Sequence, residues 1–207
     1  MPLAAQSICN LGRLDYEEAW ATQRELADKR LAGEIGDTLI LCEHPPVYTL
    51  GTNATRDDVL DPGRAAVIQT DRGGEVTWHG PGQVVGYVIA DLNARGRDLH
   101  VFLRDLEEIM IRTLADFGLA GTRLDGLSGV WIDGAKIGAL GVRVRKWIST
   151  HGFALNVSCD LDYYRGIVPC GIHDRAVTSL EQVLGKTIGL APVRESCAAH
   201  FEEIFRA

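Results

Sequence analysis

The run DLHVFLRDLEEIMIRTLADF at 98–117 puts Phe102, Leu106, Ile109, Met110, Leu114 and Phe117 on one face of a helix, and Gly118 follows as a C-terminal stop. A helix with one apolar stripe must bury that stripe against a second layer. The sequence supplies such a layer on both sides of it. Upstream, DTLILCEH, PPVYTLG, AAVIQT, GEVTWHG and QVVGYVIADL read as extended segments. Downstream, SGVWIDGAKIGALGVRVRKWI carries Asp133-Gly134 between apolar stretches, a hairpin signal because the turn needs positive φ angles, and HGFALNVS is a further strand. Lys136 therefore starts the returning strand of that hairpin.

Three more helices are expected. Over 14–31, Tyr16, Ala19, Trp20, Leu26, Ala27 and Leu31 recur at helical spacing, with Asp15 and Glu18 as a capping pair and Gly33 at the end. Thr178 with Glu181 predicts a cap for a helix of about two turns. Pro192 suits the first turn of a last helix that carries Val193, Cys197, Phe201 and Ile204. The stretch DLDYYRGIVPCGIHDRA reads as irregular. Strands in two groups with helices interleaved indicate an α+β fold of mixed β-sheets flanked by helices, and 207 residues with 46% hydrophobic content suit one domain over 1–207.

Charge and cysteine usage narrow the function. A net charge of −7 with scattered Lys and Arg argues against nucleic acid as a partner, because phosphate neutralisation needs a basic face. MPLAAQSICN shows no signal-peptide pattern and no run approaches the ~18 apolar residues of a membrane span, so no membrane is expected. Cysteines at 9, 42, 159, 170 and 197 form an odd set without short paired spacing, which predicts reduced thiols and a cytoplasmic location.

Candidate chemistry concentrates in a few segments. RGGEVTWHGPGQ at 72–83 is dense in Gly and Pro, which implies close backbone approach, by another strand or by a ligand, or else a tight turn between strands. It is not a dinucleotide fingerprint, and Gly185-Lys186-Thr187 lacks the first glycine of a P-loop. In GIVPCGI, Cys170 sits between Pro169 and Gly171, flanks that suit a presented thiol better than a core one; the other four cysteines read as small buried hydrophobes. Cys170 and His173 have half of a zinc-ligand spacing with no second half. His44, His79 and His151 fall near strand ends, where a hydrogen-bonded structural role competes with a catalytic one. Lys136, within small and apolar AKIGALGV, either points outward from an edge strand or turns inward to meet an anion such as a thiolate.

The motifs RGGEVTWHGPGQVVGY, GAKIGALGVRV, HGFALNV and GIVPCGI, in that order and with EHPPVYTLG at 43–51, resemble those of the octanoyl-[acyl-carrier-protein]:protein N-octanoyltransferases. The resemblance covers nearly the whole chain; Trp78 stands where a tyrosine is common and Gly138 where an alanine is common. It implies the fold of the biotin and lipoate protein ligase catalytic domains and a reaction that needs no cofactor, neither ATP nor metal. It makes Cys170 the nucleophile that takes the octanoyl group as a thioester, and Lys136 the residue that depresses its pKa. It also makes Arg72, Gly73, Gly74, Glu75, Val76, Thr77, Trp78 and His79, with Ala139, Leu140, Gly141, Gly152, Phe153 and Ala154, the residues that hold the acyl chain and its carbonyl. The implied donor is octanoyl-acyl carrier protein, and the implied acceptors are lipoyl domains of 2-oxoacid dehydrogenase E2 subunits and the glycine cleavage H protein.

Two physical expectations accompany that likeness. Gly73, Gly74, Gly141 and Gly152 are expected to leave room between strands for an acyl chain. Docking of acidic partners onto a chain of charge −7 calls for a local basic patch, with Arg143, Arg145 and Lys146 as candidates on one strand.

Overall fold

The computed structural model describes residues 5–167 and 176–206. Among these, the chain begins with β1 (Ser7–Arg13), α1 (Tyr16–Leu31), β2 (Thr38–Glu43), β3 (Val47–Leu50), β4 (Ala66–Gln69), β5 (Val76–His79) and β6 (Gln83–Ile89). It continues through α2 (Leu99–Asp116), β7 (Thr122–Leu124), β8 (Leu127–Ile132), β9 (Ala135–Arg145), β10 (Ile148–Asn156), α3 (Leu180–Leu184) and α4 (Leu190–Phe205). One sheet has the order β1-β2-β6-β10-β9-β8-β7 and a smaller one the order β4-β3-β5. The α+β class with mixed sheets stands. No described helix is long and apolar enough to cross a membrane.

The large sheet is covered on both faces. Leu39 and Leu41 of β2 and Val84 and Val88 of β6 face the core built on Phe102, Leu106, Ile109, Met110 and Leu114 of α2 and Val193, Cys197 and Phe201 of α4. The alternate residues Ile40, Cys42, Val85, Tyr87 and Ile89 pack with Tyr16 and Ala19 of α1. Burial on both sides explains why the interior runs LILC and VVGYVI are apolar without alternation. The smaller sheet closes over a third cluster that contains Tyr48, Leu50, Val76 and Trp78.

Several local expectations meet a correction. β1 was not legible, because it is an edge strand with mostly exposed or half-buried side chains, held by parallel pairing with β2 across the α1 crossover. Asp15 occupies the N-cap of α1 but its side chain makes no cap hydrogen bond; Glu17 and Glu18 in the first turn and Lys29 and Arg30 in the last complement the helix dipole instead. The cap of α3 is Ser179, which accepts from the Gln182 amide. Thr178 lies one residue before the cap, its amide donating to the Lys136 carbonyl at 2.9 Å. The cap of α2 is Asp98, whose carboxylate accepts from the His100 and Val101 amides.

Two tight turns flank β9, the strand that carries Lys136. Asp133 (φ 48°) and Gly134 (φ 79°) join Ile132 to its partner Ala135, as the sequence predicts. Lys146 (φ 52°) and Trp147 (φ 66°) join Arg145 to Ile148 without a glycine. A Cβ at Gly134 would meet no atom within 4 Å, so the cost of a side chain there is backbone strain alone. Gly134→Ala is expected to lose about 1 kcal/mol, read as a fall in Tm of about 2–4 °C; an unchanged melting curve contradicts the turn assignment.

Candidate active site

A cavity opens where the loop before β5 folds over β9 and β10. Its walls come from Gly74, Glu75, Val76, Thr77 and His79 on one side and from Lys136 to Gly141 and His151 to Ala154 on the other. Tyr16, Val85 and Tyr87 also line it. Of the residues expected at the site, Arg72, Gly74, Glu75, Val76, Thr77, His79, Lys136, Ala139, Leu140, Gly141, Gly152, Phe153 and Ala154 meet here. Gly73 and Trp78 are not part of the lining. Trp78 is fully buried and stacks on Tyr163 with ring centroids 4.8 Å apart. Cys170, and His173 with it, lie outside the described residues.

Gly74, Gly141 and Gly152 line the cavity, while Gly73, Gly141 and Gly152 also meet a neighbouring backbone. The Gly73 amide donates to the Val142 carbonyl at 2.9 Å, and a Cβ on Gly141 would lie 2.9 Å from the Gly73 oxygen. Gly152 is closed off in the same way by the Gly86 carbonyl. These positions bring backbones together, so the dense glycines mark approach by a neighbouring strand as well as the edge of a cavity. The apolar surface comes instead from Val76, Val85, Ile137, Leu140 and Phe153.

Arg72 holds the glycine-rich loop in place. Its guanidinium donates to the Thr49 and Glu75 carbonyls, both at 2.7 Å, and to the Gly73 carbonyl at 3.1 Å. These bonds tie the loop to β3 and leave a buried positive charge beside the cavity.

The polar floor is a chain of neutral groups. His151 Nε2–H donates to Asp71 at 2.8 Å, its Nδ1 accepts from the Tyr16 hydroxyl at 3.3 Å, and its amide donates to Gln23 at 2.8 Å. These partners hold a histidine at φ 59° within β10. Burial, with the Arg72, Arg143 and Arg24 guanidiniums, lowers His151 to about 3. Asp71, the acceptor of the Nε2–H, pairs through its other carboxylate oxygen with Arg143. His79 is lowered well below the usual imidazole range by burial, then by His44 and Arg72. Its Nδ1–H donates to Gln83 Oε1 at 3.2 Å, and the Gln83 amide nitrogen in turn donates to Asn156 at 2.9 Å. Burial raises Tyr16 to about 12 and Tyr87 well above the usual phenol range. Tyr16, Tyr87, His151, Asn156 and Tyr164 were not assigned to the site from sequence. His151 carried one signal, its place beside Gly152 at a strand end.

Lys136 is half-buried and lines the cavity, and β9 lies between β10 and β8, which excludes the outward, edge-strand alternative. Its Nζ is 5.3 Å from the Trp131 ring centroid. Its backbone pairs with the chain that leaves the undescribed segment, the Lys136 amide donating to the Ala176 carbonyl at 2.9 Å. Ile167, the last described residue before Cys170, and Val177, the second described residue after it, both line the same cavity. Burial pushes Cys42, Cys159 and Cys197 up to about 12, which leaves them protonated core thiols.

A two-face-covered sheet with a cleft under a second small sheet, with apolar walls, a polar floor and a lysine, defines the class: residues 15–202 match the lipoyl protein ligase A/B catalytic domain. The bipartite lipoate protein ligase of Thermoplasma acidophilum shares this fold, with a TM-score of 0.74 at 18% identity over 98% of this chain and 84% of that one. An octanoyltransferase of Geobacter metallireducens is 50% identical over 194 residues, 94% of this chain and 91% of the relative. One of Rubrobacter xylanophilus is 50% identical over 201 residues, 93% and 90%. The chain belongs to the octanoyltransferase family and is an acyltransferase.

The neutral His151 sets a pH dependence. Unfolding exposes its ring, which binds a proton below about pH 6.5, whereas the folded ring binds one only near pH 3. Its contribution to stability is therefore complete above pH 6.5 and declines as pH falls from there toward 3, by about 2 kcal/mol between pH 7.5 and 5. His151→Asn keeps a residue tolerant of positive φ and removes the titration. Its Tm is expected to vary less than that of the wild type between pH 7.5 and 5; parallel Tm–pH curves contradict the assignment.

Proposed function

We propose that this chain, as one cytoplasmic catalytic domain, moves an octanoyl group from octanoyl-acyl carrier protein to a lysine amine of lipoyl domains, those of 2-oxoacid dehydrogenase E2 subunits and the glycine cleavage H protein. The acyl group travels as a thioester on Cys170. The observation that carries the reading is the place of Lys136, an amine in an apolar cleft whose own backbone anchors the chain returning from Cys170. The likeness to a ligase solved in a study of that ligase and its E2 lipoyl domain supports the choice of acceptor.

In the first half-reaction the Cys170 thiolate attacks the thioester carbonyl of the donor. The bond from that carbonyl to the carrier sulfur breaks, and the departing thiolate takes a proton from the Lys136 ammonium. In the second, the acceptor amine attacks the acyl-enzyme carbonyl, the Cys170 thiolate leaves, and neutral Lys136 takes the amine proton. One thioester replaces another before an amide forms, so the sequence runs without an activating nucleotide. The apolar lining accepts the octanoyl tail, each buried methylene contributing about 0.8 kcal/mol, which makes selectivity among chain lengths graded.

Intact mass after incubation with octanoyl-acyl carrier protein is expected to show one octanoyl adduct on the wild type, none on Cys170→Ala and a slower one on Lys136→Ala. Transfer that requires ATP with free octanoate and survives Cys170→Ser overturns this reading in favour of a ligase.

A second cleft, between α1 and the β9–β10 turn, gathers Arg24, Arg143, Arg145 and Lys146. All four are exposed; Arg143 is engaged with Asp71, Arg24 lies over the Trp20 ring, and Lys146 sits in the turn rather than on the strand, so the test falls on Arg145 and Lys146. We assign it to docking of acidic partner proteins. Arg145→Glu with Lys146→Glu is expected to raise KM for a partner and weaken its salt dependence; an unchanged KM rejects the patch.

A further inference from the structure

Glu107 is a charged residue on the buried stripe of α2, 1% exposed beside Leu106, Ile109 and Met110, and it does not line the cavity. A buried carboxylate is costly unless donors fill its lone pairs. Here the donors divide between the two oxygens. Oε2 accepts from Arg104 Nη1 of α2 at 2.6 Å and from Arg123 Nε of β7 at 3.0 Å. Oε1 accepts from the Gly129 amide at 3.1 Å. A leucine or methionine would fill the same space; it would not hold that amide.

Gly129 stands at an irregularity of the β8–β9 ladder. Val130 pairs with Gly138 whereas Trp131 pairs with Lys136, and Gly129 has φ 116°. A Cβ on Gly129 would lie 2.6 Å from Lys136 Cε and 3.4 Å from its Nζ. The stem of Lys136 therefore rests on the Gly129 backbone, with the Trp131 ring 5.3 Å from its head. Where the Gly129 backbone sits sets where the amine stands.

We propose that Glu107 is a positioning residue for the Lys136 amine: its hydrogen bond to Gly129 fixes the backbone on which the lysine side chain rests. The inference rests on the assignment of Lys136 to the transfer reaction. Displacement of a reacting group by about 1 Å costs up to a hundredfold in rate. Losing the Gly129 acceptor is thus expected to lower kcat while leaving KM for both partners unchanged.

Glu107→Ala removes the carboxylate. Glu107→Gln keeps its volume, and its amide turns a donor toward the Gly129 N–H once its oxygen meets the two arginines. Both variants are to be assayed for octanoyl transfer below their Tm, beside Lys136→Ala and a core variant in the α2–α4 contact, Phe201→Leu. The expected result is a kcat lowered tenfold or more in the Glu107 variants with KM within twofold, and an acidic limb of the pH profile moved to higher pH, while Phe201→Leu loses stability with neither change. Glu107 variants that behave like Phe201→Leu overturn the proposal, as does a Glu107→Gln chain that fails to fold, which makes Glu107 a residue of the core alone. Wild-type activity in Lys136→Ala overturns the underlying assignment, and full loss there with normal kcat in the Glu107 variants overturns only the positioning role.

Discussion

The hydrogen bond from the Gly73 amide to the Val142 carbonyl joins the glycine-rich loop to β9, and the cavity depends on that junction. Gly141 allows it, because a side chain at 141 would run into the Gly73 oxygen. Arg72 strengthens it from within the loop by donating to carbonyls on β3 and around the turn. With the loop fixed, Val76 and Thr77 face Leu140 and Phe153 across a cleft instead of across solvent. The two sheets have separate ladders, joined besides by the Gln83 side chain of β6, which bonds His79 and donates to the Trp78 carbonyl of β5. A contact between backbones thus defines the shape of a site whose walls are side chains.

Much of the architecture was legible because it obeys simple periods. The apolar stripe of α2 and the Asp133-Gly134 turn follow from helical spacing and from the φ angles that a two-residue hairpin needs. β1 is exposed on an edge and carries no such pattern. The β9–β10 turn was hidden for a different reason: Lys146 and Trp147 adopt positive φ without the glycine or asparagine that advertises it, and the tertiary contacts of Trp147, its carbonyl accepting from the Leu92 amide at 2.8 Å, hold it there.

The site divides in the same way. Lys136 stands out in sequence as a charge among small apolar residues, and its strand position follows from the turn before it. Glu107 does not stand out, since a glutamate in a helix reads as a solvent-facing residue; only the fold shows Arg123 and Gly129 converging on it from other strands. His151 reads as an ordinary strand-end histidine until Asp71, from the loop after β4, and Tyr16 and Gln23, from α1, are brought to it. Residues whose role is set by partners remote in sequence leave no local signal, whereas residues set by their immediate neighbours do.

The electrostatics of the cavity bear on how a proton would be handled there. Burial and the Arg72 charge keep the His79 and His151 rings neutral and poor at accepting a proton near neutral pH. Burial keeps the Tyr16 and Tyr87 hydroxyls protonated. Arg72 is spent on backbone carbonyls and, as a guanidinium, does not exchange its proton. Thioester exchange followed by aminolysis requires one proton to be delivered and one to be retrieved at the same place. An amine on a central strand, with imidazoles and phenols around it that stay in one protonation state, suits both steps. On the proposed mechanism this leaves Lys136, rather than the histidines, as the group that shuttles the proton, although histidine would be the usual expectation from pKa values in water.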